Sequence, residues 1–343
     1  MKAQVLYPNG IIKFEEREIP TPSGGEVLIK VKRCGICMSD YYIYKGEFPR
    51  KGPVVLGHEF SGVIMEIGKG VIDFKKGDRV TVNPTLSCGY CEYCAQGKNN
   101  LCDKGRSIGG AGVEIIDGGF EEYTVVPQTN LGKLARDVTF EEGALTEPLG
   151  CAIRGIQQSR LSIGEKVLIV GAGPMGLLLL QLVKQYGASY VIVSEIIKER
   201  GKIAKKLGAD IIISPKDCDV PQEVKKMTNG GVELAIEAVG RKKAAQDAYN
   251  SLRKGGRLLI FGVPPKDEKM EFELFPIYFY EHEIIGSYAI TNDSFRKSLR
   301  MLNDHRIDIK SIITHILALE DLPKALKMQE DGIGLKKMIS MDI

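Results

Sequence analysis

The chain lacks a long apolar run, a block of like charge, an internal repeat and a low-complexity stretch, and each absence closes off a class of function. Residues 1–10 carry one lysine and none of the roughly 7–15 consecutive apolar residues of a secretory signal, and the apolar run at 177–180 is far too short to span a bilayer. The expectation is a cytoplasmic protein with no membrane partner. Lys and Arg number 47 against 44 Asp and Glu, giving +3 without clustering, so nucleic acid and anionic surfaces are not indicated and a small molecule is the expected partner. Histidine is scarce as well. Of the four, His282, His305 and His315 read as surface or packing residues, which leaves His58, next to Glu59, as the candidate ligand. Eight cysteines would suit a disulfide framework in a small secreted domain; in a chain of 343 residues with no signal segment, clustered cysteines read as metal ligands.

A chain of this length exceeds what one hydrophobic core usually supports, so about two domains are expected. The opening is β-rich: short alternating runs such as Glu26-Val27-Leu28-Ile29-Lys30-Val31 are broken by Pro20, Pro22 and Gly24-Gly25, and a Gly77-Asp78 turn launches another strand at Arg79. Within this region Gly57-His58-Glu59 follows a Lys51-Gly52-Pro53 turn, and Cys37 lies 21 residues before His58. One thiolate, one imidazole and one carboxylate make a zinc-type ligand set that leaves a coordination position open for chemistry. Cys88, Cys91, Cys94 and Cys102 follow at CxxCxxCx7C spacing. Four thiolates so close can complete one tetrahedral shell without help from elsewhere, and a closed shell implies stability rather than catalysis.

From about Gly164 strands alternate with helix-length stretches, the pattern of a doubly wound parallel sheet. The strand 166–170 runs into Gly171-Ala172-Gly173-Pro174-Met175-Gly176, then a helical stretch to Tyr186, then a strand at 190–194 ending at Glu195. In that setting the glycines read as a dinucleotide loop: Gly171 for the turn, Gly173 for close approach of the pyrophosphate, Gly176 for helix–strand packing. Glu195 would accept hydrogen bonds from ribose hydroxyls and repel a 2′-phosphate, which favours NAD. Lys198 and Arg200 nearby keep NADP open. Further strands are expected at 210–213, 233–240, 257–262 and 282–286, with helices at 222–227, 242–252, 294–302 and 322–329.

Taken together, Gly57-His58-Glu59 with Gly62, Gly68 and Val71, the Gly35-Ile36-Cys37-Met38-Ser39-Asp40 run, the cysteine lobe and the glycine loop resemble the zinc-dependent medium-chain alcohol dehydrogenases. The resemblance spans essentially the whole chain. It implies an α/β protein with a GroES-like, β-rich catalytic domain (1–150 and 287–343) around a Rossmann NAD-binding domain (151–286), commonly a homodimer or homotetramer. It implies two zinc ions per chain, one catalytic and one structural, with Cys37, His58 and Glu59 at the catalytic ion. Thr146-Glu147-Pro148-Leu149 stands where the classical enzymes have a cysteine ligand, so Glu147 matches the glutamate of the polyol, butanediol and threonine dehydrogenase branch. Cys151 is the competing candidate, and Cys34 and Cys218 read as structural thiols. Ser39 is implied as the group that takes the proton from the alcohol, and Tyr42 stands where many relatives carry a relay histidine. The expected reaction is hydride transfer from a secondary hydroxyl of a polyol or sugar to NAD, with threonine or 2,3-butanediol as alternatives. Sorbitol dehydrogenases carry an Arg-Tyr pair where this chain reads Gly286-Ser287-Tyr288-Ala289-Ile290, and the segment Phe272 to Tyr280 followed by Glu283-Ile284-Ile285-Gly286-Ser287 resembles bacterial dehydrogenases of arabitol-type polyols and related sugars. Two carboxylates beside the metal are expected to temper its Lewis acidity, an effect that a chelating diol would offset.

Overall fold

A computed structural model describes residues 1–48 and 52–342. Of the Lys51-Gly52-Pro53 turn, Lys51 lies outside the described residues. The chain forms two compact units, one of residues 1–150 with 290–343 and one of residues 151–289.

The first unit is organised on the ten-residue strand Glu26–Gly35. Its length lets it pair with three partners: Glu59–Ile67 along one edge, and on the other Tyr123–Pro127 beside its first half and Lys336–Ser340 beside its last residues. Arg79–Val82 and Leu131–Lys133 extend the sheet beyond Glu59–Ile67, and Ile313–Ala318 joins Lys336–Ser340 in parallel. The alternation read in the sequence becomes a core in which Val27, Ile29, Val31, Phe60, Ile64 and Val80 are buried against one another. Register places the functional residues. Gly35 lies opposite Glu59 in one pairing and opposite Met338 in the other, so the end of one strand, the start of a second and the chain's last strand meet at one point. The returning tail therefore completes this unit.

The second unit is a six-stranded, wholly parallel sheet. Its order is Ile211–Ile213, Tyr190–Ser194, Lys166–Val170, Val232–Glu237, Leu252–Ile260 and Glu283–Gly286. Strand order reverses between Lys166–Val170 and Val232–Glu237, the place where such sheets bind ligands at their carboxyl ends. The helix Pro174–Gln185 begins with Pro at its first turn, where a missing N–H costs nothing, and buries Leu177 to Leu180, Leu182 and Val183. One expected boundary shifts. The strand expected at 257–262 begins at Leu252 because its pairing with Val232–Glu237 slips between Val232 and Leu234, accommodating the Lys254-Gly255-Gly256 segment. The segment around Phe275 folds as a helix, Leu274–Phe279, whose Leu274, Phe275, Tyr278 and Phe279 are exposed.

Candidate metal centre and nucleotide loop

The chain leaves Glu26–Gly35 and turns into the short helix Met38–Tyr44, with Cys37 at its N-cap position. The Cys37 N–H donates to Asp40 Oδ2 at 2.8 Å, which holds the turn. The other oxygen, Oδ1, lies 3.2 Å from His58 Nδ1, short of good hydrogen-bond alignment, and both groups are buried. His58 Nε2 lies 3.5 Å from Ser39 Oγ. Ligand atoms of Cys37, His58 and Glu59 all lie within 4.8 Å of one another, which suits a single small cation. Burial alone would lower the imidazole's pKa; the Asp40 carboxylate and the Cys37 sulfur outweigh it and hold the pKa well above the ordinary histidine value. Metal binding at Nε2 has to release that proton.

Glu59 is buried, and so is Lys336, whose Nζ lies 2.8 and 2.7 Å from the two carboxylate oxygens and donates to the Ile36 carbonyl at 3.1 Å. The space for this carboxylate is made by Gly35: a Cβ there would stand 2.1 Å from Glu59 Oε2. Lys336 changes the expected charge balance at the centre. A tempered Lewis acid needs two uncompensated carboxylates, whereas the Glu59 charge is already met by a buried ammonium. Glu147, near the start of the helix Thr146–Ser159, is buried and close enough to bear electrostatically on Lys336, but is not one of the three residues clustered within 4.8 Å. Cys34 is buried in the core, and neither it nor Cys151 or Cys218 joins a cluster of metal-ligating groups among the described residues. Tyr42 packs against the rings of Tyr41 and Phe48. His305 pairs with Asp137 at the surface, His315 is half-buried beside the Thr314 hydroxyl, and His282 lies among the rings of Tyr249 and Tyr280.

Cys88, Cys91, Cys94 and Cys102 form the second cluster, all four unoxidised and within 4.8 Å of one another. Cys88 and Cys94 sulfurs are 4.0 Å apart, those of Cys91 and Cys102 3.8 Å. The edge of a tetrahedron with bonds of about 2.3 Å is about 3.8 Å, so the spacing fits four thiolates on one zinc. Backbone N–H groups of Tyr90 and Cys91 hold the Cys88 thiol down to about 6, which favours the ligating thiolate, while loss of hydration pushes Cys94 up to about 11.

In the second unit Gly171 has φ of +99°, and a Cβ on Gly176 would stand 1.9 Å from the Gly171 carbonyl oxygen, so the turn and the helix fit only through glycine. A Cβ on Gly173 would meet nothing within 4 Å, so the backbone is open to a ligand there. Pro174 and Met175 begin the helix over that opening. Glu195 is buried and accepts from the Ala172 N–H at 2.7 Å and the Ile197 N–H at 2.8 Å, tying the second strand's end to the glycine loop. Arg200, half-buried, sits in the helix Lys198–Lys206.

Residues 23–136 match the alcohol dehydrogenase GroES-like domain, and residues 174–304 match the zinc-binding dehydrogenase domain. A sorbitol dehydrogenase of Halalkalibacterium halodurans is 34% identical over 99% of each chain. The chain belongs to the zinc-dependent medium-chain alcohol dehydrogenase family. Among solved structures, a provisionally named zinc-binding dehydrogenase of Sinorhizobium meliloti 1021, bound to NADP, is 33% identical with a TM-score of 0.93, covering 99% of this chain and 98% of that one. A protein described as a short chain alcohol dehydrogenase (rspB) of E. coli CFT073, complexed with NADH, is 32% identical with a TM-score of 0.91 over 99% of each chain. This medium-chain dehydrogenase is thus a zinc-binding oxidoreductase with a nicotinamide cofactor. Among the described residues no helix is long and apolar enough to cross a membrane.

Sequence reading missed Lys336 and gave Asp40 no role. Asp40 carried a weak signal, an acid three residues after a potential N-cap, the spacing that closes a first helical turn. Lys336 carried none, being one of two adjacent lysines 277 positions after its partner.

Proposed function

We propose that this dehydrogenase oxidises a secondary hydroxyl of a polyol or sugar with NAD as hydride acceptor. The observation that carries the reading is the Cys37–His58–Glu59 cluster with Ser39 beside it, in a chain similar over its whole length to a sorbitol dehydrogenase. Cys37 and His58 would hold the catalytic zinc, with Glu59 and Glu147 as the carboxylates that share or exchange the remaining protein position. The four-cysteine lobe would hold a second, structural zinc. When bound, the catalytic zinc supplies a Lewis acid that acidifies a substrate hydroxyl, and the nicotinamide supplies the hydride acceptor.

The chain's own residues do the rest. Asp40 orients the His58 ring from its Nδ1 side, leaving Nε2 for the metal. Ser39 Oγ, 3.5 Å from that nitrogen, is positioned to receive the substrate proton. Lys336 holds Glu59 by both oxygens and neutralises it, so the carboxylate need not donate its full charge to the metal. Gly171, Gly173, Pro174, Met175 and Gly176 would receive the pyrophosphate at the helix N-terminus. Glu195 keeps lone pairs for the ribose hydroxyls after accepting its two backbone bonds, which favours NAD; Arg200 is the residue that would admit NADP.

The exposed apolar helix Leu274–Phe279 precedes the terminal strand Glu283–Gly286 of the parallel sheet. A second copy of the chain is the occupant that fits, making a homodimer or homotetramer in the cytoplasm. The test of function is a panel of polyols, sugars, threonine and 2,3-butanediol with NAD and NADP, read by reduced-nicotinamide absorbance. Turnover of polyols with NAD is the expected result; turnover of threonine alone, or of simple alcohols alone, would overturn the substrate assignment.

A further inference from the structure

The carboxyl edge of the parallel sheet carries a second buried acid. Glu237 ends the strand Val232–Glu237, pairs with Ile260, and is 1% exposed. Among the described residues it makes no ion pair, yet its carboxyl group is well served: Oε1 accepts from the Val239 N–H at 2.6 Å and the Gly240 N–H at 2.7 Å, and the N–H groups of Arg241 and Gly262 also bear on it. Its main-chain carbonyl accepts from Phe261 N–H at 3.0 Å and Gly262 N–H at 2.9 Å. One residue therefore ties the loop after its own strand to the loop after the next strand. A buried carboxyl group is costly unless hydrogen-bonded, so this arrangement binds the loops to Glu237 as firmly as it binds Glu237 to them.

Those loops face the glycine turn. Ala238 N–H donates to the Val170 carbonyl at 2.9 Å, and the Val239 side chain lies against Gly171, 2.7 Å from where a Cβ would be. On the other flank Glu195 holds Ala172. Strand Lys166–Val170 lies between the two strands that these acids end, at the point where strand order reverses. The crevice expected there has the glycine loop as one wall and residues 238–241 with Gly262 as the other.

We propose that Glu237 is a positioning residue for the cofactor: it fixes the second wall of the dinucleotide crevice, so that nicotinamide–dinucleotide affinity depends on a side chain that does not touch the dinucleotide. The inference rests on the nicotinamide reading above. Glu237→Met keeps the length of the side chain and removes the acceptors; Glu237→Gln keeps one acceptor oxygen. In zinc-loaded, full-length protein titrated with NADH by fluorescence, Glu237→Met should bind about 10-fold or more weakly, and Glu237→Gln should recover to within about threefold of wild type. In steady state the KM for NAD should rise while kcat at saturating NAD stays within about twofold. Hydrogen exchange adds a readout independent of the variants: in wild type, NADH should slow exchange of the amides of Val239, Gly240 and Gly262. NADH affinity within twofold of wild type in Glu237→Met would overturn the inference, as would a loss matched by faster exchange throughout residues 151–289. Should Glu237→Met not fold, unchanged protection of those three amides in wild type on NADH addition decides against it. Wild-type protein that bound neither NADH nor NADPH would remove the cofactor reading itself.

Discussion

Lys336 Nζ lies 2.7 and 2.8 Å from the two oxygens of Glu59, and both side chains are buried, at 4% and 1% exposure. Glu59 belongs to the candidate metal centre, Lys336 lies against it, and burial raises the stakes of breaking the pair. Removing one member of a buried pair leaves an uncompensated charge, whereas removing both with apolar groups of similar volume is often tolerated.

Lys336→Met should therefore destabilise the protein by about 3–5 kcal/mol in urea unfolding, and Lys336→Met with Glu59→Gln should regain a large part of that loss. Additive losses in the double variant would show that the two residues do not act as a pair.

Asp40→Asn should keep the turn at Cys37 but weaken the hold on His58. Loss of such a carboxylate behind a metal-bound histidine typically costs about 10–100-fold in metal affinity. Chelator competition on the zinc-loaded protein measures it; an unchanged zinc affinity would remove Asp40 from the centre.

Cys37→Ala and Cys91→Ala should separate the two metal sites. Metal analysis is expected to give two zinc ions per chain in wild type and one in each variant. Cys37→Ala should lose alcohol oxidation with its fold intact, and Cys91→Ala should lose stability first. Full zinc content in either variant would break the corresponding assignment.

Glu121 provides a pH test away from both sites. It is buried, Arg17 is 3.6 Å from it and closer to Asp117, and burial with the nearby Asp117 charge pushes its pKa up to about 8. A carboxyl group whose folded pKa lies above its unfolded value binds more protons when folded, so stability falls as pH rises from about 4.5 to about 8. Glu121→Gln should remove that dependence. The variant should gain on the order of a few kcal/mol relative to wild type at pH 8.5 and little at pH 4.5, read by urea midpoints at each pH. A constant difference between the two proteins across that range would sink the assignment.

Much of the fold was legible along the chain because its signals are local. Strand 190–194 and the start of the helix after Gly173 came out as read, since a continuous apolar run, a glycine turn and a helix-starting proline act within a few residues. Boundaries moved where pairing decides: the strand beginning at Leu252 runs through Gly255 and Gly256 only because Val232–Glu237 lies beside it. The exposed helix Leu274–Phe279 carried no periodic apolar face to announce it.

At the candidate sites the same division holds. The sequence by itself determined the four-cysteine cluster and the glycine loop, because their members are separated by so few residues that the backbone's reach brings them together. It also paired Cys37 with His58, through residue types and the family they resemble. Only the tertiary structure decided that Asp40 faces His58, that Glu237 gathers two loops, and that Lys336 returns from the chain's last strand to meet Glu59. Those relationships depend on which strands lie side by side and in what register, and a one-residue slip beside Gly35 would turn Lys336 to the opposite face of the sheet.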